Sequence, residues 1–194
     1  MHEKELIVER YLDIISRMKK LILTAVFVFS VISLMLSCTK DDRENNMLQQ
    51  ETSIESYVKT FSEQRVQVYD KVWRVVMVEG TESVEAQKGD SVFFDYAAYI
   101  FNSGKGFLFS TNKRSIAEDA KMTQDVSLFN KWKVRLGNGE LISGLDEGLE
   151  GVKRGERCYV VFSSRKGFGS VQIGLVPKMS PLIYEVWITD VKKN

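Results

Sequence analysis

Hydrophobic and polar positions divide the chain into stretches of different period. Leu21 to Leu36 is an apolar run broken only by Thr24, Ser30 and Ser33, and residues 39–50 are polar and read as a tether. In "TSIESYVKTFSEQ", Ile54, Tyr57, Val58 and Phe61 recur at helical spacing, and Thr52 and Glu55 stand at the spacing of a capping box. That pattern predicts a helix over 52–64. Five runs rich in β-branched and aromatic residues follow: "VWRVVMV" (72–78), "SVFFDYAAYIF" (91–101), "KWKVRLG" (131–137), "CYVVF" (158–162) and "PLIYEVWITDV" (181–191). Turn-forming residues bound them, as in "NSGKG" after Phe101, so each is predicted to be a strand. Residues 110–130 are polar and irregular, with room for one helical turn. No internal repeat is present, and the elements predict a small α+β domain.

One stretch fits no simple period. "VRLGNGELISGLDEGLEGVKRGERCYVVF", Val134 to Phe162, holds six glycines in 29 residues. A loop between two strands would not need Leu141, Ile142, Leu145, Leu149 and Val152, which make one apolar surface. The pattern predicts a short buried helix, Asp146 to about Val152, packed closely through Gly144 and Gly148, with Gly151 and Gly155 in the turns that leave it.

Composition narrows the chemistry. A chain of 194 residues with 44% hydrophobic content can bury one good core. The first 38 residues carry five basic and four acidic side chains, leaving 22 of each sign, so nothing in the charge favours nucleic acid. The one histidine is His2, which excludes Ser-His-Asp and Cys-His catalysis and histidine-based zinc sites from the rest of the chain. Neither a G-x-G-x-x-G nor a Walker loop occurs, and no cofactor is expected. Met18-Lys19-Lys20 before the apolar run reads as the basic start of a signal peptide, with Met18 the expected true start. A single-span anchor is the alternative, although the run is shorter than the ~20 residues a spanning helix needs. "LMLSC" resembles a bacterial lipobox, which would make Cys38 the lipidated N-terminus. "CTKDD" resembles the signal that follows this cysteine in surface lipoproteins of Bacteroidetes-like bacteria. Cys158 then has no disulfide partner and reads as a small buried apolar residue. The expected divisions are a signal segment at 1–38, a tether at 39–50, a helical extension at 51–69 and a globular domain at 70–194.

The glycine-rich stretch resembles the core signature of the FKBP-type peptidyl-prolyl isomerases, whose pattern runs roughly L-G-x-G-x-V-I-x-G-W-x-x-G-L-x-G-M-x-x-G-E. The register holds without a gap from Leu136 to Glu156. "KGDSVFFDYAAYIFNSGKGFLFST" is similar to the family's opening block, and "FGSVQIGLVPKMSPLIYEVWITDV" to its closing one, so the resemblance spans about residues 70–192. It implies an FKBP-like α+β fold, an antiparallel sheet of five strands wrapped around a short helix, here with an N-terminal helix added.

The resemblance also implies a site. Tyr96, Phe109, Trp132, Leu141, Ile142, Leu145, Phe168, Val176 and Tyr184 match the family's pocket, with Trp132, Phe109 and Tyr184 around the prolyl ring. The Ile142 N–H would bind the substrate carbonyl that follows the proline. Three positions depart: the family's Phe-Asp pair reads Phe109-Ser110, its floor tryptophan is Leu145, and its loop tyrosine is Phe168. The implied activity is peptidyl-prolyl isomerisation of exported, proline-containing polypeptides by a monomer anchored at the outer membrane through Cys38. The alternatives are a weakly active or inactive FKBP-like module that binds a peptide or partner, and a structural lipoprotein whose pocket has closed.

Alternation along the strands makes one further prediction. If Tyr96 and Tyr184 face the pocket, so do Val92, Phe94, Val186 and Ile188, and Val160 and Phe162 face the short helix. Phe93, Tyr159, Val161 and Trp187 then lie on the opposite face. The 52–64 helix is expected to cover them, over Trp187, with a dimer or partner surface as the alternative.

Overall fold

In the computed structural model, residues 17–24, 26, 40–122 and 129–194 are described. The chain forms two units, Met1–Asn45 and Asn46–Asn194. In the first, residues 17–24, 26 and 40–45 are helical; His2, Cys38 and most of the apolar run lie outside the described residues. No helix among the described residues is long and apolar enough to cross a membrane.

The second unit is built on one antiparallel sheet. Its strands are β1 (Arg65–Tyr69), β2 (Val72–Val78), β3 (Ser91–Phe101), β4 (Lys105–Thr111), β5 (Trp132–Arg135), β6 (Arg157–Phe162) and β7 (Leu182–Lys192). They run in the order β1-β2-β6-β7-β3-β4, with β5 also paired to β3. The long β3 serves two neighbours on one side: Ser91–Phe94 pair with β5, and Ala97 to Phe101 pair with β4.

The five strands expected from sequence are all present, and β1 and β4 join them among the described residues. Both are edge strands. In β1, Val66 and Val68 are exposed, so no buried face marks the strand. Its turn into β2 is Asp70-Lys71, both at positive φ (42° and 64°), a two-residue hairpin geometry reached without the usual glycine.

The N-terminal helix also differs from its expected span. Residues 40–58 are helical (α1), so the helix reaches into the stretch read as a tether and stops six residues short of its expected end. Thr52, expected to cap it, lies within it and donates its hydroxyl to Leu48 O at 3.0 Å. The helical turn expected within 110–130 is a short helix after β4, α2 (Arg114–Asp119).

Two apolar layers flank the sheet. The inner one holds Val92, Phe94, Tyr96, Val160, Phe162, Tyr184, Val186 and Ile188, the alternation expected, together with Leu145, Leu149 and Val152. The outer one joins Ile54 and Val58 of α1, with Tyr57 and Phe61, to Trp73, Val75, Phe101, Tyr159, Val161 and Ile183. The helix therefore does cover Tyr159 and Val161, but over Ile183 rather than Trp187. Those two positions on β7 are four residues apart, or about 13 Å along the strand. Cations cover the remainder: Lys113 Nζ and the Arg157 guanidinium lie 4.5 and 5.6 Å from the Trp187 ring centre. Lys133 and Lys192 stand over Phe93 in the same way.

Candidate active site

The inner face is organised by a helix of six residues. α3 spans Ser143–Gly148, three residues earlier than expected, because the chain turns helical directly after Ile142, whose φ and ψ (−64°, 146°) are extended. A Cβ on Gly144 would collide with the Phe162 ring, and one on Gly148 with the Val160 side chain. Only glycine lets this helix lie so close to β6, which is the reason the sequence spaces its glycines as it does. The α3 terminus nearer the pocket is held by Gly144 N–H donating to Lys166 O at 2.9 Å and by the Asp146 carboxylate, which accepts from Gly137 N–H at 3.0 and 3.1 Å.

The far end of α3 rests on a buried charge. Arg74 of β2 donates from Nη1 to Gly148 O at 3.0 Å and to Glu150 O at 2.5 Å, and from Nη2 to Gln67. A cation is thus placed where the helix leaves its carbonyls unpaired. Glu156, whose side chain is fully buried, lies 3.6 Å from Arg74 Nε. Burial pushes the Glu156 carboxyl above the usual range, against the opposing pull of Arg74. Beside it, Cys158 is a buried free thiol whose ionisation burial also opposes.

Five of the aromatic residues singled out in the sequence come together on the other side of α3. Tyr96 (β3) and Trp132 (β5) have ring centres 4.4 Å apart, and Tyr96 and Tyr184 (β7) 6.2 Å. Phe109 (β4) stands edge-on to Tyr184 at 6.2 Å and to Phe168 at 6.5 Å. Leu145 and Val176 are buried in the same cluster, and Leu141 and Ile142 pack against it partly exposed. Trp132 is the open side of this cup, 38% exposed.

Two polar features face the cup. Ser110 Oγ and the Tyr96 hydroxyl are 2.9 Å apart, so Ser110 still engages the tyrosine where the family pattern has a carboxylate. Burial pushes the Tyr96 and Tyr184 hydroxyls above their ordinary range. Among the described residues the Ile142 N–H donates to no acceptor, while the Ile142 carbonyl accepts from Leu145 and Asp146. A donor is thus left free beside an apolar cup. The described residues include no cluster of histidine, cysteine or acidic side chains able to hold a metal.

Sequence reasoning placed Phe94 and Phe162 on the inner face without counting them in the site, and it passed over Thr111 and Asn112. Phe94 lies edge-on to both Tyr96 and Trp132, and Phe162 stacks on Tyr184 at 5.9 Å. Thr111 and Asn112, both buried, grip the Tyr96 backbone: Thr111 Oγ1 donates to its carbonyl at 2.6 Å, and Asn112 Oδ1 accepts from its N–H at 2.7 Å. Asn112 also donates to Asn130 O, at the entrance to β5. Two adjacent polar residues at the end of a strand signal a turn in sequence, and only β4 pairing with β3 turns them toward Tyr96.

Known proteins share this fold. The chain is 30% identical over 118 residues to FK506-binding protein 1A of Neurospora crassa, covering 60% of this chain and 85% of that protein. Among solved structures it resembles the three FKBP domains of wheat FKBP73 (TM-score 0.54, 18% identity, covering 68% of this chain and 50% of that one). It likewise resembles FkpA from Escherichia coli (TM-score 0.53, 21% identity, covering 79% and 64%). Residues 82–189, more than half of the chain, match the FKBP-type peptidyl-prolyl cis-trans isomerases, and the chain belongs to that family.

Proposed function

We propose that this chain is an active peptidyl-prolyl cis-trans isomerase that assists the folding of exported proteins, held at the outer membrane by a lipid on Cys38. One observation carries the catalytic part: an apolar cup of five aromatic rings with the unpaired Ile142 N–H at its rim. Rotation about an X–Pro bond meets a barrier of ~18–20 kcal/mol because amide resonance is lost. Nothing has to attack the bond. The twisted amide is less polar than the planar one, so a pocket that excludes water favours it. The prolyl ring would sit between Phe109, Trp132 and Tyr184, with the following carbonyl held by Ile142 N–H. The reaction asks for no histidine, metal or nucleophile.

The experiment is a proline-limited refolding assay with the domain at micromolar concentration. Acceleration of the slow phase, which otherwise takes tens to hundreds of seconds, is the expected result, and none would reject the enzyme reading.

A second reading, a binding module with little turnover, draws on Ser110, Leu145 and Phe168. Each removes a polar or aromatic group that the family pattern places at the pocket. Restoring two of them separates the readings: Leu145→Trp with Ser110→Asp is expected to raise kcat/KM by about tenfold, the equivalent of one good contact. If the double variant matches the parent, these departures do not limit the site.

The anchoring proposal rests on the resemblance of "LMLSC" and "CTKDD" to a lipoprotein leader of Bacteroidetes type. Stable attachment would come from acyl chains rather than a span. Cys38→Ser is expected to move the protein from the membrane to the soluble fraction on cell fractionation. A variant that stays with the membrane would point instead to an uncleaved apolar anchor.

A further inference from the structure

Phe168 and Val176, two walls of the cup, belong to the long segment between β6 and β7, residues 163–181. That segment has little regular structure of its own. Its middle and far end are tied to α1 by a closed ring of four hydrogen bonds that starts and ends on one side chain of that helix. Gln50 Nε2 donates to Met179 O at 2.7 Å. Met179 N–H donates to Gly169 O at 2.7 Å, and Gly169 N–H to Ser164 O at 3.0 Å. Ser164 N–H donates back to Gln50 Oε1 at 2.8 Å. The orientation of the Gln50 amide follows from its partners, because a carbonyl can only accept and an N–H can only donate. Its second amide hydrogen serves Asn46 Oδ1 at 2.5 Å.

Two further observations show that the ring constrains the loop. Met179 holds a left-handed backbone (φ 60°), which a residue with a side chain adopts at a cost, and both of its peptide groups are engaged in the ring. Next to Gln50, the buried Glu51 carboxylate accepts from Ser163 Oγ at 3.3 Å, Arg165 Nε at 3.2 Å and Lys71 Nζ at 2.7 Å. Gly169, the third member of the ring, directly follows Phe168. The helix that supplies Gln50 lies outside the segment that matches the family, residues 82–189.

We propose that Gln50 is a positioning residue for the prolyl site: through this ring it fixes the 163–181 loop, and hence Phe168 and Val176, in the arrangement that closes the cup. The effect on peptide affinity rests on the isomerase-fold cup being the peptide site; the effect on the loop does not.

The test uses the full chain and two variants, Gln50→Ala and Gln50→Glu. Amide hydrogen exchange should quicken by about tenfold at Ser164, Gly169 and Met179 in Gln50→Ala, while Tyr96 and Val186 of the central strands are unchanged. Gln50→Glu keeps the acceptor for Ser164 but loses the donor to Met179. It should therefore protect the Ser164 amide and leave Gly169 and Met179 fast, a split that general loosening of α1 would not produce. The Kd for a succinyl-Ala-Leu-Pro-Phe peptide, titrated by tryptophan fluorescence, should rise by about fivefold to tenfold in Gln50→Ala. Unchanged exchange at Gly169 and Met179, or equal quickening across the whole outer layer, overturns the proposal. So does altered exchange with unaltered Kd. A parent that binds the peptide without turning it over would sink the isomerase reading and leave this inference standing.

Discussion

Trp132→Ala is expected to lower kcat/KM on a proline-containing tetrapeptide by at least about tenfold while the domain stays folded. Trp132 is the most exposed of the five rings, so its loss opens the cup to water where a twisted amide needs a dry surface. Its contacts with Tyr96 at 4.4 Å and Phe94 at 5.8 Å are aromatic pairs worth about 0.5–1.5 kcal/mol each. Removing both leaves a domain of ordinary stability, about 5–15 kcal/mol, still folded at room temperature. Circular dichroism melting checks that point, and steady-state kinetics at several peptide concentrations checks the first. Equal activity in the variant and the parent would show that the reaction does not use this pocket.

The largest loss of stability is expected from Arg74→Ala, about 3–5 kcal/mol in urea unfolding. The change strands the buried Glu156 carboxylate, both of whose oxygens already lack hydrogen-bond partners, and frees the carbonyls of Gly148 and Glu150 at the end of α3. The pair is also expected to be replaceable. Arg74→Met with Glu156→Leu removes both charges from an apolar setting and should recover a large share of the loss. Recovery would stay incomplete, because methionine offers those two carbonyls no donor. If Arg74→Ala alone costs under about 1 kcal/mol, the ion pair is not what supports the helix.

Strands read from β-branched and aromatic runs bounded by turn residues agree with the structure because that signal is complete within a few residues: β2 and β3 match their expected spans, 72–78 and 91–101. The glycine spacing was equally legible, since Gly144 and Gly148 recur on one side of a helix whose neighbours are apolar. The ends of both helices were misread for a common reason. Thr52 and Glu55 have a capping spacing, yet whether a helix begins there depends on what precedes it, and here α1 already runs through residues 40–51. The cup was legible only through the resemblance; taken singly, each of its aromatics reads as plain core.

From the sequence alone came the strand order along the chain, the inward and outward faces, the lack of histidine chemistry and the family pattern. All of these are carried by residues close together in the chain. The tertiary structure decided the rest. Edge strand β1 takes its conformation from hydrogen bonds to β2 rather than from a buried face of its own, and β4 is set by its pairing with β3. α1 settled over Ile183 instead of Trp187 because the outer layer had to fit Trp73, Phe101 and Tyr159 together. Gln50 meets Met179 and Ser164 across 129 and 114 residues of chain, and Arg74 meets Gly148 across 74. No local pattern can encode such pairs, because their geometry exists only once the whole sheet has closed around α3 and brought distant backbone within hydrogen-bond reach.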